Sequence, residues 1–140
     1  MKIRRQARAL ALQALYEIDS VGHAQEEVVR RRIEDEGLPP EGAAFSQTLV
    51  EGVLGHRAEL DVTIRKHAPE WPVEQLAVVD RNVLRIALFE LRYASDVPIK
   101  VAINEAVELA KMFGSDNAPR FVNGVLGAFL LEHPAAELRP

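Results

Sequence analysis

The sequence predicts an all-α protein, with about seven helices arranged as two small bundles in one compact domain. Three observations predict this fold class. Apolar residues recur at helical spacing in every long segment, glycine and proline fall mainly in short breaks between segments, and no segment shows sustained alternation with a period of two. Hydrophobic residues make up 48% of the 140-residue chain and aromatic residues only 6%, which favours helix over sheet and allows a sizeable core.

Short breaks that contain glycine or proline separate the predicted helices. These breaks are residues 21–23, 37–40, 68–72, 95–98 and 114–119. The break at residues 69–72 divides residues 1–132 into an N-terminal half (1–68) and a C-terminal half (72–132), which we expect to share one core as a single domain. His133 and Pro134 open a predicted tail, residues 133–140.

The N-terminal half contains the first predicted helix and a long helical segment. The first helix follows from apolar residues at three- and four-residue spacing: Ile3, Ala7, Leu10, Ala11, Ala14, Leu15 and Ile18. The second segment shows the same spacing and reaches about His67: Phe45, Leu49, Val53 and Leu60.

Three more helices are predicted in the C-terminal half. The first is apolar on most faces, which predicts a central position: Val83, Leu84, Ile86, Ala87, Leu88, Phe89 and Leu91. The next two are marked by Val101, Ala102, Ala106, Leu109, Ala110 and Phe113, and by Phe121, Val122, Val125, Leu126, Phe129 and Leu130. Pro98 and Pro119 lie near their starts, where proline is tolerated, and Asp96 and Asn117 are the predicted caps.

Charge is distributed unevenly along the chain. The net charge is −4, which argues against a general polyanion binder. Lys2, Arg4, Arg5 and Arg8 nevertheless fall within the first eight residues, and the first acid is Glu17. An acidic protein with a basic end indicates a focused anion site instead of a basic coat.

A helical projection places the three arginines of the first helix together. At about 100° per residue, Arg4, Arg5 and Arg8 lie within an arc of roughly 100°, and Tyr16 falls near its edge two turns further on. Arginine forks suit phosphates or base edges, and a tyrosine ring can stack on a base, so this face is a candidate RNA surface. The alternative is a solvated charged face whose tyrosine is half-buried in the core.

The sequence carries no arrangement that predicts catalysis. The four histidines are scattered, and no HExxH motif or phosphate-binding loop is present. Glu105 and Glu108 lie one helical turn apart with no further catalytic group beside them in the sequence. The chain has no cysteine, which excludes a thiolate metal site. We therefore expect no enzyme activity, no cofactor and no metal. The absence of a long apolar run and of a signal peptide predicts no membrane association and a cytoplasmic location.

Polar residues interrupt two of the apolar helices. Asp80, Arg81, Arg85 and Glu90 interrupt the central helix. They form either a set of internal ion pairs or, for Asp80 and Arg81, part of a partner surface. Asn104 and Asn123 lie among apolar neighbours. Because a buried amide is unfavourable unless it is hydrogen-bonded, we expect these two side chains to lock helix ends or contacts between helices.

Several of these stretches, taken in order, resemble the NusB family of bacterial transcription antitermination factors. The matching segments begin with Arg5-Gln6-Ala7-Arg8, Ala11-Leu12-Gln13-Ala14-Leu15-Tyr16 and Leu49-Val50-Glu51-Gly52-Val53. They continue with Asp80-Arg81-Asn82-Val83-Leu84-Arg85-Ile86-Ala87, the run from Pro98 to Lys111, and Phe121-Val122-Asn123-Gly124-Val125-Leu126. The resemblance runs from about residue 4 to residue 130.

The resemblance implies a NusB-like fold and an RNA-binding role. In that family the protein joins NusE, a small-subunit ribosomal protein, on single-stranded boxA RNA of ribosomal RNA leaders, and helps RNA polymerase to read through terminators. The family's RNA surface maps onto Arg4, Arg5 and Arg8 and onto the start of the last helix, at Asn117, Arg120 and Phe121. Tyr16, Asp80 and Arg81 match positions at or near the RNA and NusE contacts, of which Asp80 and Arg81 are assigned to the partner.

Two departures from the family pattern act in opposite directions. Gln6 interrupts the basic run where relatives often continue with arginine, whereas Asn117 stands where many relatives carry an acid. We therefore expect no large net loss of RNA affinity. The alternatives are the NusB-like domain of a ribosomal RNA cytosine methyltransferase, a DNA-binding helical regulator and a scaffold that binds only protein. A homodimer that buries the first helix would mask its arginines.

Overall fold

The computed structural model describes residues 2–134 and residue 138, and these contain seven α-helices, one 3₁₀ turn and no strand. The helices are α1 (Ile3–Val21), α2 (Gln25–Glu36), α3 (Pro40–Gly55), α4 (Arg57–His67), α5 (Val78–Tyr93), α6 (Ile99–Phe113) and α7 (Ala118–Glu132), and the 3₁₀ turn is Val73–Gln75. The all-α prediction is confirmed. The predicted tail, residues 133–140, lies partly outside the described residues.

The chain divides into two compact units after Gly55. Residues 1–55 hold α1 to α3, and residues 56–140 hold α4 to α7. The sequence placed the boundary between its halves at residues 69–72; in the structure α4 packs against α5 and α7 and so groups with the second unit. That residues 1–132 act as one domain stays a prediction.

In the first unit, α1 packs against α3 and α2 along the apolar stripe that the sequence predicted. Its fully buried members are Ala7, Leu10, Ala11, Ala14 and Leu15. Each buried leucine contributes roughly 1.5–3 kcal/mol of transfer free energy, so this stripe holds α1 in a single register. Glycines in the left-handed region end α1 and α2, at Gly22 (φ 80°) and Gly37 (φ 64°).

The predicted long segment from Phe45 to His67 is in fact two helices, so a single continuous helix was the wrong expectation. α3 ends at Gly55 and α4 begins at Arg57, and His56 between them has φ −110° and ψ 14°. Glycine has a low helix propensity, and a Cβ added at Gly55 would have no neighbour within 4 Å. Gly55 therefore marks a helix end, not a close helix contact.

In the second unit, α5 is the central helix, as its sequence predicted. Residues 82 to 91 are all buried, and α5 packs against α4, α6 and α7. The starts of α6 and α7 differ from expectation. Pro98, not Asp96, is the N-cap residue of α6, and Asn117 occupies the N-cap position of α7 without a capping hydrogen bond from its side chain. Pro119 lies in the first turn of α7, as predicted.

Among the described residues, no helix has both the length and the apolar character needed to span a membrane.

Candidate nucleic-acid interface

The three arginines of α1 differ in exposure, although the projection placed them on one face. Arg4 is exposed, Arg5 is partly exposed, and Arg8 is only 4% exposed. The buried face of α1 is broad because the helix packs against both α2 and α3, and this face takes in Arg8 together with Ala7. Arg4 is therefore the arginine that presents the most surface to a ligand.

The guanidinium groups of Arg4 and Arg8 lie against one aromatic ring. The Cζ of Arg4 is 4.3 Å from the centre of the Phe45 ring, and that of Arg8 is 5.2 Å from it. Both distances are within the range of a cation–π interaction. Phe45 lies on α3 and was read from the sequence only as a core residue. No signal in the local spacing indicated this contact, because it joins two helices.

Tyr16 is exposed but lies apart from the arginines. Its side chain is 45% exposed, so the ring has a face available for stacking. Twelve residues of α-helix separate it from Arg4, a rise of about 18 Å. The structure therefore keeps Tyr16 on the same helix as the arginines without bringing it into their cluster.

Next to Tyr16 in the sequence, the Glu17 carboxylate contacts basic side chains of α2 and of the loop that precedes α2. Its carboxylate accepts hydrogen bonds from Arg31 (2.7 Å) and Arg32 (3.0 Å) and lies 2.7 Å from the His23 Nδ1 atom. Hydrogen bonds from His23 and Arg31 lower the pKa of Glu17 from 4.5 to about 2. The carboxylate is ionised at neutral pH and offsets the charge of these two arginines, which disfavours α2 as an anion-binding surface.

The predicted site at the start of α7 is one local cluster. Asn117 and Arg120 are exposed and Phe121 is half-buried. Residues three and four positions apart lie on the same helix face, so the three side chains are neighbours. The first turn of α7 contains no acid, and the positive end of a helix favours an anion. This cluster combines an amide, a cation and an aromatic edge, which suits a nucleotide.

Asp80 and Arg81 make contacts of different kinds. The Arg81 Nη1 atom donates hydrogen bonds to the carbonyl oxygens of Glu74 (3.0 Å) and Leu76 (3.2 Å), which ties the 3₁₀ turn to α5. Asp80 is half-buried, and its Oδ1 atom is buried with no hydrogen-bond partner among the described residues. Burial raises the pKa of the Asp80 carboxyl. Arg81 therefore has a structural role, whereas Asp80 keeps an unsatisfied acceptor.

The two asparagines that were expected to lock helices are exposed, and a third takes that role. Asn104 and Asn123 are exposed to solvent, so the structural expectation for them was wrong. Asn82 is buried instead; its Nδ2 donates to the Val78 carbonyl oxygen at 2.8 Å and its Oδ1 accepts from Arg85 at 3.1 Å. Periodicity could not separate these residues, because the apolar neighbours of Asn104 and Asn123 face away from them.

The histidines of the second unit take part in packing contacts. The ring of His56 stacks on Tyr93 with their centres 4.2 Å apart, and the His67 Nε2 atom lies 2.6 Å from the Glu132 carboxylate. Within the described part of the chain, no group of three or more histidine, cysteine, aspartate or glutamate side chains could hold a metal ion.

Comparison with known proteins gives one consistent result. The sequence model of the NusB family matches residues 5–130. The chain is 54% identical over 127 residues to the transcription antitermination protein NusB of Roseiflexus sp. strain RS-1, which covers 89% of each chain. It is 47% identical over 123 residues to that of Bacillus subtilis, which covers 88% of this chain and 91% of the relative.

Solved structures give the same result at the level of the fold. T. maritima NusB superposes with a TM-score of 0.87 at 32% identity and covers 96% of this chain and 95% of its own. A structure of the antitermination factors NusB and NusE in complex with dsRNA matches with a TM-score of 0.86 at 28% identity, and covers 95% of this chain and 99% of that one.

Proposed function

The chain belongs to the NusB family, and from this we propose that it is a transcription antitermination factor that binds RNA together with NusE. The observation that carries the proposal is the likeness over 95% of the chain to a structure of NusB and NusE in complex with dsRNA. The RNA we propose is the single-stranded boxA element of ribosomal RNA leaders, and the wider assembly is the antitermination complex of RNA polymerase. We propose a binding protein that acts in the cytoplasm, with no catalytic step.

The proposed RNA contacts on α1 are unequal. Arg4 and Arg5 hold phosphates by charge-assisted hydrogen bonds, since they are the more exposed of the three arginines. Arg8, at 4% exposure, supports this part of the site from within the helix packing. Tyr16 stacks on a base about 18 Å further along the helix.

The proposed contacts of the second unit are the side chains at the start of α7. Arg120 binds phosphate, the half-buried Phe121 stacks on a base or ribose, and Asn117 hydrogen-bonds a base edge. Asn117 is neutral, so it adds no repulsion toward phosphate at a position next to Arg120.

For NusE, the proposed contact is Asp80, supported by Arg81. Asp80 is only half-buried, so its carboxylate is open to a lysine or arginine of NusE, and a charge-assisted hydrogen bond between them favours binding. Arg81 fixes the backbone of the neighbouring turn through its bonds to the Glu74 and Leu76 carbonyl oxygens. A homodimer that covers α1 is the proposed competing state.

A binding assay tests the proposed function. Fluorescence anisotropy with a labelled boxA oligonucleotide and a scrambled oligonucleotide of equal length, each with and without NusE, measures affinity and specificity. We expect tighter binding of boxA than of the scrambled RNA, and a further gain when NusE is present. Equal binding of both sequences, with no effect of NusE, would contradict the proposal, and NusE binding without RNA binding would identify a protein scaffold.

A further inference from the structure

We propose that Phe45 is a positioning residue of the RNA surface on α1, where its ring holds the side chains of Arg4 and Arg8. This inference rests on the proposed function, because it assigns Phe45 a role in presenting Arg4 to phosphate, with the buried Arg8 held against the same ring. The observation that carries it is the approach of two guanidinium groups to one ring, with the Cζ atoms of Arg4 and Arg8 at 4.3 Å and 5.2 Å from its centre.

The backbone of α3 is held against α1 by contacts on both sides of Phe45. One residue later, the buried Ser46 hydroxyl donates a hydrogen bond of 2.8 Å to the Ala7 carbonyl oxygen of α1. Three residues earlier, a Cβ added at Gly42 would stand 2.8 Å from the Ile3 Cγ2 atom, so a larger residue there would displace the Ile3 side chain of α1. Phe45 therefore lies between two points at which α3 is held against α1.

An aromatic ring is suited to hold a cation that must also bind phosphate. The ring face attracts a guanidinium through its quadrupole and carries no formal charge, so this contact does not neutralise the arginine. The contrast within the same unit is Glu17, whose carboxylate offsets the charges of Arg31 and Arg32.

Holding an arginine in place before RNA arrives increases affinity. A long flexible side chain loses rotamer freedom when it is immobilised in a complex, and this loss corresponds to about a two- to tenfold factor in affinity for each side chain. If Phe45 limits that freedom in the unbound protein, replacing the ring should weaken RNA binding by a factor within this range.

The test compares Phe45→Leu, which keeps an apolar side chain without a ring, with Phe45→Tyr, which keeps the ring. Binding of a labelled boxA oligonucleotide to the protein–NusE complex is measured by anisotropy, and circular dichroism establishes that each variant is folded at the assay temperature. We expect Phe45→Leu to bind about two- to tenfold more weakly, and Phe45→Tyr to bind within about twofold of the wild type. Equal affinities for all three folded proteins would overturn the proposal.

A double-mutant cycle separates positioning from a general effect on packing. If Phe45 acts through Arg4, Phe45→Leu should have a smaller effect in an Arg4→Gln background than in the wild type. An undiminished effect in that background would overturn the assignment to Arg4. Failure of the wild type to bind RNA would instead count against the proposed function, so the two failures are distinguishable.

Discussion

The guanidinium of Arg85 donates two hydrogen bonds to the carboxylate of Asp61, from Nε to Oδ1 at 2.8 Å and from Nη2 to Oδ2 at 3.0 Å. The Arg85 side chain is 4% exposed and that of Asp61 is 27% exposed. The pair joins the central helix α5 to α4, and Asn82 accepts a further hydrogen bond from Arg85 at 3.1 Å. The buried guanidinium of Arg85 on α5 therefore has hydrogen-bond acceptors on both α4 and α5.

Removing the Asp61 carboxylate should destabilise the protein strongly. Asp61→Ala leaves the Arg85 cation buried without this partner, and breaking such a pair costs about 3–5 kcal/mol. Because the Asp61 side chain is partly exposed, water screens the pair, and we expect a loss nearer 2–3 kcal/mol. Urea denaturation of the two proteins measures the difference. A change below about 0.5 kcal/mol would show that the pair contributes little.

The low pKa of Glu17 leads us to expect that its contribution to folding stability depends on pH only in the acidic range. Its pKa is about 2 in the folded state and 4.5 ordinarily, so the folded state binds this proton more weakly than the unfolded state does. Its contribution to stability is therefore full above pH 4.5 and is lost as the pH falls toward 2. Glu17→Gln should be less stable than wild type at pH 7, and the gap should narrow in chemical denaturation at pH 3. A gap of equal size at both pH values would contradict this account.

For Asp80, the expected change of stability with pH has the opposite sign. Burial raises its folded pKa above the ordinary 3.8, so its ionised form is less favourable in the folded state. Stability should decrease as the pH rises from 3.8 through the raised folded pKa. Asp80→Asn should therefore leave the unfolding free energy at pH 7 unchanged or higher while it weakens NusE binding. Calorimetric titration with NusE and denaturation of the same variant measure both, and unchanged NusE affinity would remove Asp80 from the proposed interface.

The role of Asn117 can be tested by placing an acid at this position. Asn117→Asp introduces a negative charge beside Arg120, and a like charge about 4 Å from a phosphate in water is unfavourable by about 1 kcal/mol. We expect RNA binding to weaken about fivefold, as measured by filter binding with NusE present. Tighter binding by the variant would contradict the placement of RNA at the start of α7.

The sequence predicted the helices better than it predicted the surroundings of individual side chains. Apolar spacing located α1 and the central α5, because burial of one face determines the period. It did not show that Arg8 is buried, that Asn82 in place of Asn104 and Asn123 makes the internal hydrogen bonds, or that Phe45 contacts two arginines. Each of these depends on a neighbouring helix, and one helix's own periodicity carries no information about its neighbour.

For the candidate site too, the sequence indicated some features and not others. The arginines of α1 and the cluster at the start of α7 were found from charge spacing and from family resemblance. Arg81 has hydrogen-bond partners within the second unit that spacing alone could not show, since they are the backbone carbonyl oxygens of Glu74 in the 3₁₀ turn and of Leu76 just after it. Candidate side chains that local spacing brings together were therefore predictable, and contacts that depend on how the chain folds around a side chain were not.

Binding of RNA phosphate by the exposed end of α1 is tested most directly by the salt dependence of RNA affinity in a pair of charge-matched variants. Arg4→Gln and Arg30→Gln each remove one positive charge from the first unit; Arg30 is an exposed residue of α2 that pairs with Glu34 at 3.3 Å. We expect Arg4→Gln to weaken boxA binding and to lower the slope of log affinity against log salt by about 0.7, and Arg30→Gln to leave the slope unchanged. Equal slopes for wild type, Arg4→Gln and Arg30→Gln would contradict this expectation.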